Sequence, residues 1–198
     1  MKLRDQIEHL EYMFNFEINR LSDFLENLIE MHRKEEDYFK DSGREFFELL
    51  PNYYFNSFVI RIYSLLESEM FEICDSLLRY NNILLVCEKD LTGSSVEKFK
   101  KCLTKMFHLE INNDLWKEID NLRLVRNTIV HRESILSEHE KKKIKEYMQY
   151  HNLTSDMVES ILTNQKYCQH IHDFCCDFIQ EMYSLVKKEY KEENEYAV

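Results

Sequence analysis

The chain has 198 residues and a formal net charge of -11, and hydrophobic residues make up 44% of it. This acidity excludes a protein that coats nucleic acid through its whole surface, because phosphate groups repel such a surface. Only two Gly and one Pro are present, and so few helix breakers predict an all-α fold, an antiparallel helical bundle with short connections. No apolar run approaches the ~18 residues of a membrane span. The charged N-terminus is unlike a signal peptide, so we expect a cytoplasmic protein that contacts no membrane.

The first predicted element is a long helix over residues 2–39. Its apolar side chains recur every three or four positions in a heptad-like pattern. They are Leu3, Ile7, Leu10, Phe14, Ile18, Leu21, Phe24, Leu28 and Met31. Such a helix can pair with a second chain, but packing within its own domain is the commoner outcome. We therefore predict that residues 1–43 form a long helix, ended by Gly43, that packs on a bundle formed by residues 44–198.

A second long helix is predicted over residues 52–80, with a broad apolar face. Pro51 is predicted to separate it from a short helical turn. Residues 81–93 are predicted to be irregular. Within them, the apolar run at residues 83–86 fits either a buried turn or a short strand.

A basic helix is predicted to begin at Ser94. Ser94 and Glu97 form a capping box, in which a hydroxyl and a carboxylate satisfy unpaired N–H groups at a helix start. Lys98, Lys101 and Lys105 share a face of this helix and could meet a phosphate backbone. Residues 94–147 hold twelve Lys and Arg against nine Asp and Glu and are the only basic part of the chain. This imbalance suits a local anion site, although charge also fluctuates along any chain.

The closing helix is predicted over residues 154–190. It carries three of six cysteines, none of which forms a C-x-x-C pair, so we predict reduced and buried thiols. His172 and Cys176 are one helical turn apart and could ligate a metal. A zinc site needs three or four ligands, however, and we predict neither a metal site nor a cofactor.

Between the basic and the closing helices, an amphipathic helix is predicted over residues 113–131, with Asn113 as its N-cap. Its apolar stripe consists of Leu115, Ile119, Leu122, Val125 and Ile129. A capping-box pattern at residues 137–140 restarts the chain. The amphipathic helix is therefore predicted to end between residues 132 and 136.

Three polar residues lie late in this helix: Arg126, Asn127 and His131. At roughly 100° per residue, Asn127 and His131 lie about 40° apart, whereas Arg126 and His131 lie about 140° apart. Arg126 also lies about 20° from Leu115 in the apolar stripe, where an unpaired Arg is costly. Either the long Arg side chain reaches round the helix, or the helix unwinds near His131, or a second copy of the helix completes the site.

The Arg126, Asn127 and His131 pattern resembles the signature of the HEPN family, the higher eukaryote and prokaryote nucleotide-binding domains. The resemblance covers mainly residues 52–190 and implies a HEPN-type helical bundle, to which the long N-terminal helix is an addition. It also implies a metal-independent endoribonuclease that leaves a 2′,3′-cyclic phosphate and acts as a homodimer, with its two motif helices facing each other. The role that we expect from this resemblance is that of a toxin or an effector of antiviral defence. Members often carry a supporting acidic residue in a core helix, for which Glu67 is a weak candidate beside its simpler interpretation as a solvated side chain.

The chemistry of the motif residues fits cleavage of RNA by its own 2′-hydroxyl, which needs neither an enzyme nucleophile nor a metal. His131 can act as a general base or acid. Arg126 offers a permanently charged planar group to phosphate oxygens, and Asn127 can donate to a phosphate oxygen or orient the imidazole. We predict these three residues as catalytic. The residues predicted to bind the RNA substrate are Arg123, Arg132 and, more weakly, Lys101.

The competing hypothesis is a non-catalytic HEPN-like scaffold that binds a nucleotide or a protein partner. The charge of -11 and the heptad-like first helix favour it. From spacing alone, Arg126 could cap a neighbouring helix and His131 could be an ordinary residue of a last turn. The sequence leaves open which RNA is cut and whether an antitoxin or activator protein controls the activity.

Overall fold

The computed structural model describes residues 3–41, 49–131, 138–155 and 158–190. Its helices are, in chain order, α1 (Leu3–Asp41), α2 (Leu49–Tyr80), α3 (Cys87–Asp90), α4 (Ser95–Lys101), α5 (Asn113–His131), α6 (Glu138–Tyr150) and α7 (Gln165–Glu189). A π-helical segment, Cys102–Met106, follows α4. Strands β1 (Thr154–Ser155) and β2 (Val158–Ile161) form a short antiparallel ribbon, in which Thr154 pairs with Ile161. Apart from this ribbon the predicted all-α fold is confirmed, and none of the described helices could cross a membrane.

The chain divides into two compact units. The first unit takes the described parts of Met1–Glu17, Ser64–Asp120 and Phe174–Val198, and the second takes those of Ile18–Tyr63 and Asn121–Asp173. Each unit therefore draws on segments that are far apart in the sequence. The predicted boundary at residue 43 falls outside the described residues.

Helix α1 confirms the long helix predicted from the apolar repeat. Its buried residues are Leu3, Ile7, Phe14, Ile18, Leu21, Leu25 and Leu28. Phe24 and Met31 are exposed, against the prediction, and Leu25 is buried instead. A repeat of three and four residues can be continued through either of two neighbouring positions, such as Phe24 or Leu25. Only the packing of the helix decides which of these two side chains is buried.

Helix α2 includes Pro51 in its first turn, so the predicted break at this residue is wrong. Proline is tolerated there because the first N–H groups of a helix have no partner within it. The run at residues 83–86 is irregular, and Leu84 and Val86 within it are exposed. It is therefore neither a buried turn nor a strand.

Asparagine, rather than glycine, ends two of the helices. Asn82 after α2 and Asn152 after α6 have φ angles of 55° and 52°, in the left-handed region. The N–H of the residue after each, Ile83 or Leu153, donates at 2.9 Å to a carbonyl of the last helical turn. This arrangement is the Schellman motif, which satisfies carbonyls that a helix end leaves unpaired.

The capping box at the start of α4 is confirmed. The Ser94 hydroxyl accepts from the Glu97 N–H at 3.3 Å, and the Glu97 carboxylate accepts from the Ser94 N–H at 2.8 Å. After Lys101 the chain continues as the π-helical segment, whose hydrogen bonds span one more residue than those of an α-helix. Lys105 therefore does not follow the α-helical face that its spacing predicts.

The closing helix α7 begins at Gln165, so the prediction that it starts at residue 154 is wrong. The Asn164 side-chain oxygen accepts from the Tyr167 N–H at 2.9 Å, and its carbonyl accepts from the Cys168 N–H at 3.0 Å. Asn164 is thus the N-cap of α7. The apolar residues before it belong to β2 and to the irregular residues that follow β2, because a short apolar run fits a strand as well as a helix.

The cysteines confirm the prediction of buried thiols. Cys74, Cys102, Cys168 and Cys175 are buried and Cys176 is half-buried, and all five are free. Burial raises the pKa of the Cys168 and Cys175 thiols far above their usual range. Both are therefore neutral and unreactive at physiological pH. The side chain of Cys87 lies outside the described part of the chain.

An aromatic cluster forms part of the core of the first unit. Trp116 on α5 contacts Phe99 and Phe178 edge-to-face, with ring centroids 5.7 Å apart in both pairs. The cluster joins α4, α5 and α7, and aromatic pairs in this geometry add about 0.5–1.5 kcal/mol each beyond the area they bury. Lys100 lies over the Trp116 ring, with its ammonium 5.5 Å from the ring centroid.

The first unit also buries a carboxyl group. Glu69 on α2 is 8% exposed and accepts a hydrogen bond of 2.5 Å from the Tyr183 hydroxyl on α7. Burial raises the pKa of Glu69 above its usual range, the charge of Glu72 raises it further, and the hydrogen bond from Tyr183 opposes both. The folded protein therefore holds the Glu69 proton more tightly than the unfolded chain does.

Glu69→Gln is expected to alter how stability depends on pH. Because the folded pKa is the higher one, the contribution of Glu69 is fully present below about pH 4.3, the ordinary Glu value, and is lost as the pH rises through the folded pKa. Between pH 4 and 7 the free energy of unfolding of the wild type should fall relative to Glu69→Gln, by at most about 1.4 kcal/mol per pH unit. Urea unfolding at a series of pH values measures this difference. Glu181→Gln, an exposed control on α7, should follow the wild type, and equal slopes for all three proteins would contradict the assignment.

Candidate functional site

Helix α5 confirms the predicted motif helix but not its predicted cap. Asn112, rather than Asn113, caps the helix: its side-chain oxygen accepts from the Asp114 N–H at 2.8 Å. The Asn113 side-chain oxygen accepts from Lys100 Nζ at 3.3 Å. Residue preference cannot distinguish two adjacent asparagines, because both are good caps.

The buried residues of α5 are three positions apart. They are Trp116, Ile119, Leu122, Val125 and Thr128. Three residues turn a helix by about 300°, so the buried line shifts by about 60° at each step. The predicted stripe is therefore wrong at its two ends, where Leu115 and Ile129 are only half-buried. The same shift moves the buried face away from Arg126, which consequently does not lie in the middle of it.

The Arg126 side chain is half-buried and is held by two neighbours in the second unit. Its Nη1 donates to Asn127 Oδ1 at 3.0 Å. Its Cζ lies 5.7 Å from the ring centroid of Tyr63, a buried residue of α2, whose negative face attracts the cation. Arg126 Nε is buried and has no hydrogen-bond partner among the described residues. A buried donor without a partner costs about 1–3 kcal/mol, and more when it is charged.

His131 is the last residue of α5, and its side chain is exposed. The helix is unbroken up to this residue, so local unwinding does not turn His131 toward Arg126. Arg126 does not reach round the helix either, because its guanidinium is held by Asn127 and Tyr63. A second copy of the helix, the third way of completing the site, stays a prediction.

Asn127 contacts Arg126 and lies on the same helix face as His131. Its side-chain oxygen is used by Arg126, which leaves the amide N–H groups as the atoms that can donate to a phosphate oxygen or an imidazole nitrogen. Asn127 and His131 are four residues apart in a continuous α-helix and therefore share a face. The next residue, Thr128, is buried and donates its hydroxyl hydrogen to the Leu124 carbonyl at 2.9 Å, so it takes no part in the site.

The three residues predicted to bind substrate have different outcomes. Arg123 is half-buried on α5. Arg132 lies outside the described residues. Lys101 belongs to the first unit, where its ammonium donates to the Thr92 carbonyl at 2.5 Å and to the Thr92 hydroxyl at 3.5 Å. Because these bonds tie Lys101 to the loop before α4, its ammonium is less suited to bind a phosphate than the sequence suggests.

Tyr63 is the residue of this site that sequence reasoning missed. An aromatic residue in the apolar stretch of α2 is expected to be a core residue, and no local pattern signals that its ring meets a guanidinium 63 positions later. Glu67, the acidic candidate on the same helix, is half-buried beside a surface pocket of about 370 Å³ that Ser68 and Lys98 also line. Its supporting role stays a prediction.

No protein-family model, curated protein or solved structure matches the chain. The resemblance to the HEPN family therefore depends on the motif residues themselves and on their position at the end of a helix in an all-α chain.

Proposed function

We propose that this protein is a metal-independent endoribonuclease of HEPN type that acts as a toxin or defence effector. One observation carries the proposal. The Arg126 guanidinium is oriented by Asn127 and Tyr63, yet its buried Nε has no partner among the described residues. Nη1 is the guanidinium nitrogen that donates to a described residue, and the remaining N–H groups of this half-buried side chain can donate to an anionic ligand. A phosphate oxygen of RNA matches the planar, charged guanidinium.

In the proposed reaction, His131 removes the proton from a ribose 2′-hydroxyl, and the oxygen attacks the adjacent phosphorus. The bond from phosphorus to the 5′-oxygen of the next nucleotide breaks. An imidazolium returns a proton to that oxygen, so the products are a 2′,3′-cyclic phosphate and a free 5′-hydroxyl. Arg126 and the Asn127 amide stabilise the charge that builds on the non-bridging phosphate oxygens.

The proposed enzyme is a homodimer in which two α5 helices face each other. Two observations support this arrangement: Val130 is 42% exposed beside the exposed His131, and Arg126 and His131 of one copy point about 140° apart. In such a dimer, Arg126 from one copy and His131 from the other can act on one phosphate. The hydrogen bond to Asn127 and the contact with the Tyr63 ring then orient the Arg126 guanidinium before the phosphate binds.

The scaffold hypothesis is favoured by the same pair of neighbours. Asn127 and Tyr63 already interact with Arg126, as the neighbours of a purely structural arginine would. Such a protein binds a nucleotide or a protein partner without turnover. The two functions differ in one measurable property, the cleavage of RNA in the absence of metal ions.

The test is a cleavage assay on a mixed RNA pool with EDTA present, followed by identification of the new 3′ ends. We expect cyclic-phosphate ends, because the mechanism uses the 2′-hydroxyl and no metal. Once a cleavage position is mapped, a matched substrate with 2′-deoxyribose at that nucleotide should stay intact. Cleavage of the deoxy substrate would exclude attack by the 2′-hydroxyl, and a protein that cuts no RNA under any condition would favour the scaffold.

A further inference from the structure

A pair of histidines lies between α6 and α7 in the second unit. His151 follows the last residue of α6, and His170 lies in the second turn of α7. Their ring centroids are 4.4 Å apart, with an angle of 38° between the ring planes. A ring nitrogen of each lies within 4.8 Å of a ring nitrogen of the other. Two imidazoles, with their planes tilted to each other, are thus brought together from residues that the sequence places 19 positions apart.

The backbone of His151 is fixed on both sides. Its N–H donates to the Tyr147 carbonyl at 3.1 Å, and the left-handed Asn152 closes the Schellman motif immediately after it. The ring is surrounded by those of Tyr147, Tyr150 and Tyr167, at centroid distances of 4.5, 4.9 and 5.3 Å. This packing restricts the imidazole to few orientations, which lowers the entropy cost of binding a ligand.

Asn164 forms hydrogen bonds that fix the backbone near both histidines. Its side-chain Nδ2 donates to the carbonyls of His151 and Asn152, each at 3.1 Å. Its side-chain oxygen caps α7, the helix that carries His170. One residue therefore sets both the backbone at His151 and the start of the helix that presents His170, which is the kind of support that positions metal ligands.

We propose that His151 and His170 bind a divalent transition-metal ion that prefers imidazole, with Zn²⁺ as the first candidate. Imidazole nitrogen is a ligand for Zn, Cu, Fe and Ni, and Zn–N distances are about 2.0–2.1 Å. Two such bonds at a tetrahedral angle put the nitrogens about 3.3 Å apart. The ring nitrogens lie within 4.8 Å of each other, a range that includes this value. Two imidazoles are fewer than the three or four protein ligands of most zinc sites, so water completes the coordination and the affinity should be lower than that of such a site.

The bound ion cross-links the end of α6 to the start of α7. It binds the folded arrangement and not the unfolded chain, so it should stabilise the second unit. This site shares no residue with the His172 and Cys176 pair that the sequence offers. In that pair, His172 Nδ1 lies 3.1 Å from the Asp173 carboxylate. The proposal does not rest on the ribonuclease: zinc is titrated without RNA, and cleavage is measured in EDTA, so either can fail alone.

The experiment is a Zn²⁺ titration of the full-length protein after treatment with EDTA and removal of the chelator, followed with a chromogenic competitor. The wild type should take up one equivalent with saturation, and Zn²⁺ should raise its thermal unfolding midpoint. His151→Asn and His170→Asn should each weaken binding by at least about tenfold. The matched control His139→Ala removes an exposed histidine of α6 and should bind like the wild type.

Two results would overturn the proposal: an absence of saturable uptake by the wild type, or equal uptake by the wild type, His151→Asn and His170→Asn. Circular dichroism shows whether the variants fold. If either does not, X-ray absorption at the zinc edge of the loaded wild type decides the question without them. Two imidazole nitrogens at about 2.0–2.1 Å are expected, and a site with fewer than two would refute the assignment.

Discussion

Replacing His131 by alanine is expected to abolish RNA cleavage and to leave the fold intact. A positioned general acid or base contributes about 10²–10⁴-fold, so the rate of cyclic-phosphate formation should fall by about that factor. The imidazole is exposed at the end of α5, so its removal creates no cavity and should leave the unfolding midpoint unchanged. The measurement is the initial rate on an RNA with one mapped cleavage position, made in EDTA.

His139→Ala is the matched control for this experiment, because it removes another exposed histidine, from the neighbouring helix α6. Its cleavage rate should equal that of the wild type. If His131→Ala cut RNA as fast as the wild type did, His131 would have no part in the mechanism. Equal losses in both variants would instead point to a general effect on the protein.

Arg126→Ala is expected to reduce cleavage by about 10²–10³-fold, the usual loss when one donor to a developing oxyanion is removed. Arg126→Lys should recover only part of the rate, since an ammonium lacks the planar fork and stacks less well on the Tyr63 ring. Stability should change little. Removing Arg126 also removes a buried Nε that has no partner in the described chain, and this relief offsets the lost contacts. A large loss of unfolding free energy with unchanged cleavage would identify Arg126 as structural.

Arg79→Ala is a suitable control, because Arg79 is an exposed residue of α2 that forms an ion pair with Asp75 at 3.6 Å. It should cut RNA at the wild-type rate. Tyr63→Leu tests whether the ring acts through Arg126 by orienting the guanidinium. If it does, Tyr63→Leu lowers the rate of RNA cleavage when Arg126 is present and has no further effect on that rate in the Arg126→Ala variant. Additive effects would mean that Tyr63 acts independently.

Local sequence was sufficient for much of the secondary structure. The apolar repeats of α1 and α2 and the capping box of α4 are each complete within a few turns of chain, so their residues specify the helices without reference to the rest of the molecule. Helix α5 was also predicted to begin at Asn113, as it does, whereas its predicted end between residues 132 and 136 lies outside the described residues. Its cap and stripe were not predicted correctly, because Asn112 and Asn113 are equivalent as caps and because the buried line rotates along the helix.

The errors in the predicted elements have a common cause. The choice between Phe24 and Leu25 for the buried face of α1, and between strand and helix for residues 158–161, depends on what packs against them. A short apolar run contains too little information to exclude either state. The helix-ending asparagines Asn82 and Asn152 were a usable local signal in a chain with only two glycines, since Asn is the next residue to tolerate the left-handed region.

By itself, the sequence determined that this protein is helical and where its longest helices run. It also determined that Arg126, Asn127 and His131 lie at one helix end. Each of these properties follows from the spacing of residues along the chain. Only the tertiary structure decided what those residues meet. The ring of Tyr63 over Arg126 joins two helices, and the pairing of His151 with His170 joins two more. Such contacts depend on how helices far apart in sequence pack side by side, and packing is set by the shapes and volumes of all the buried side chains together.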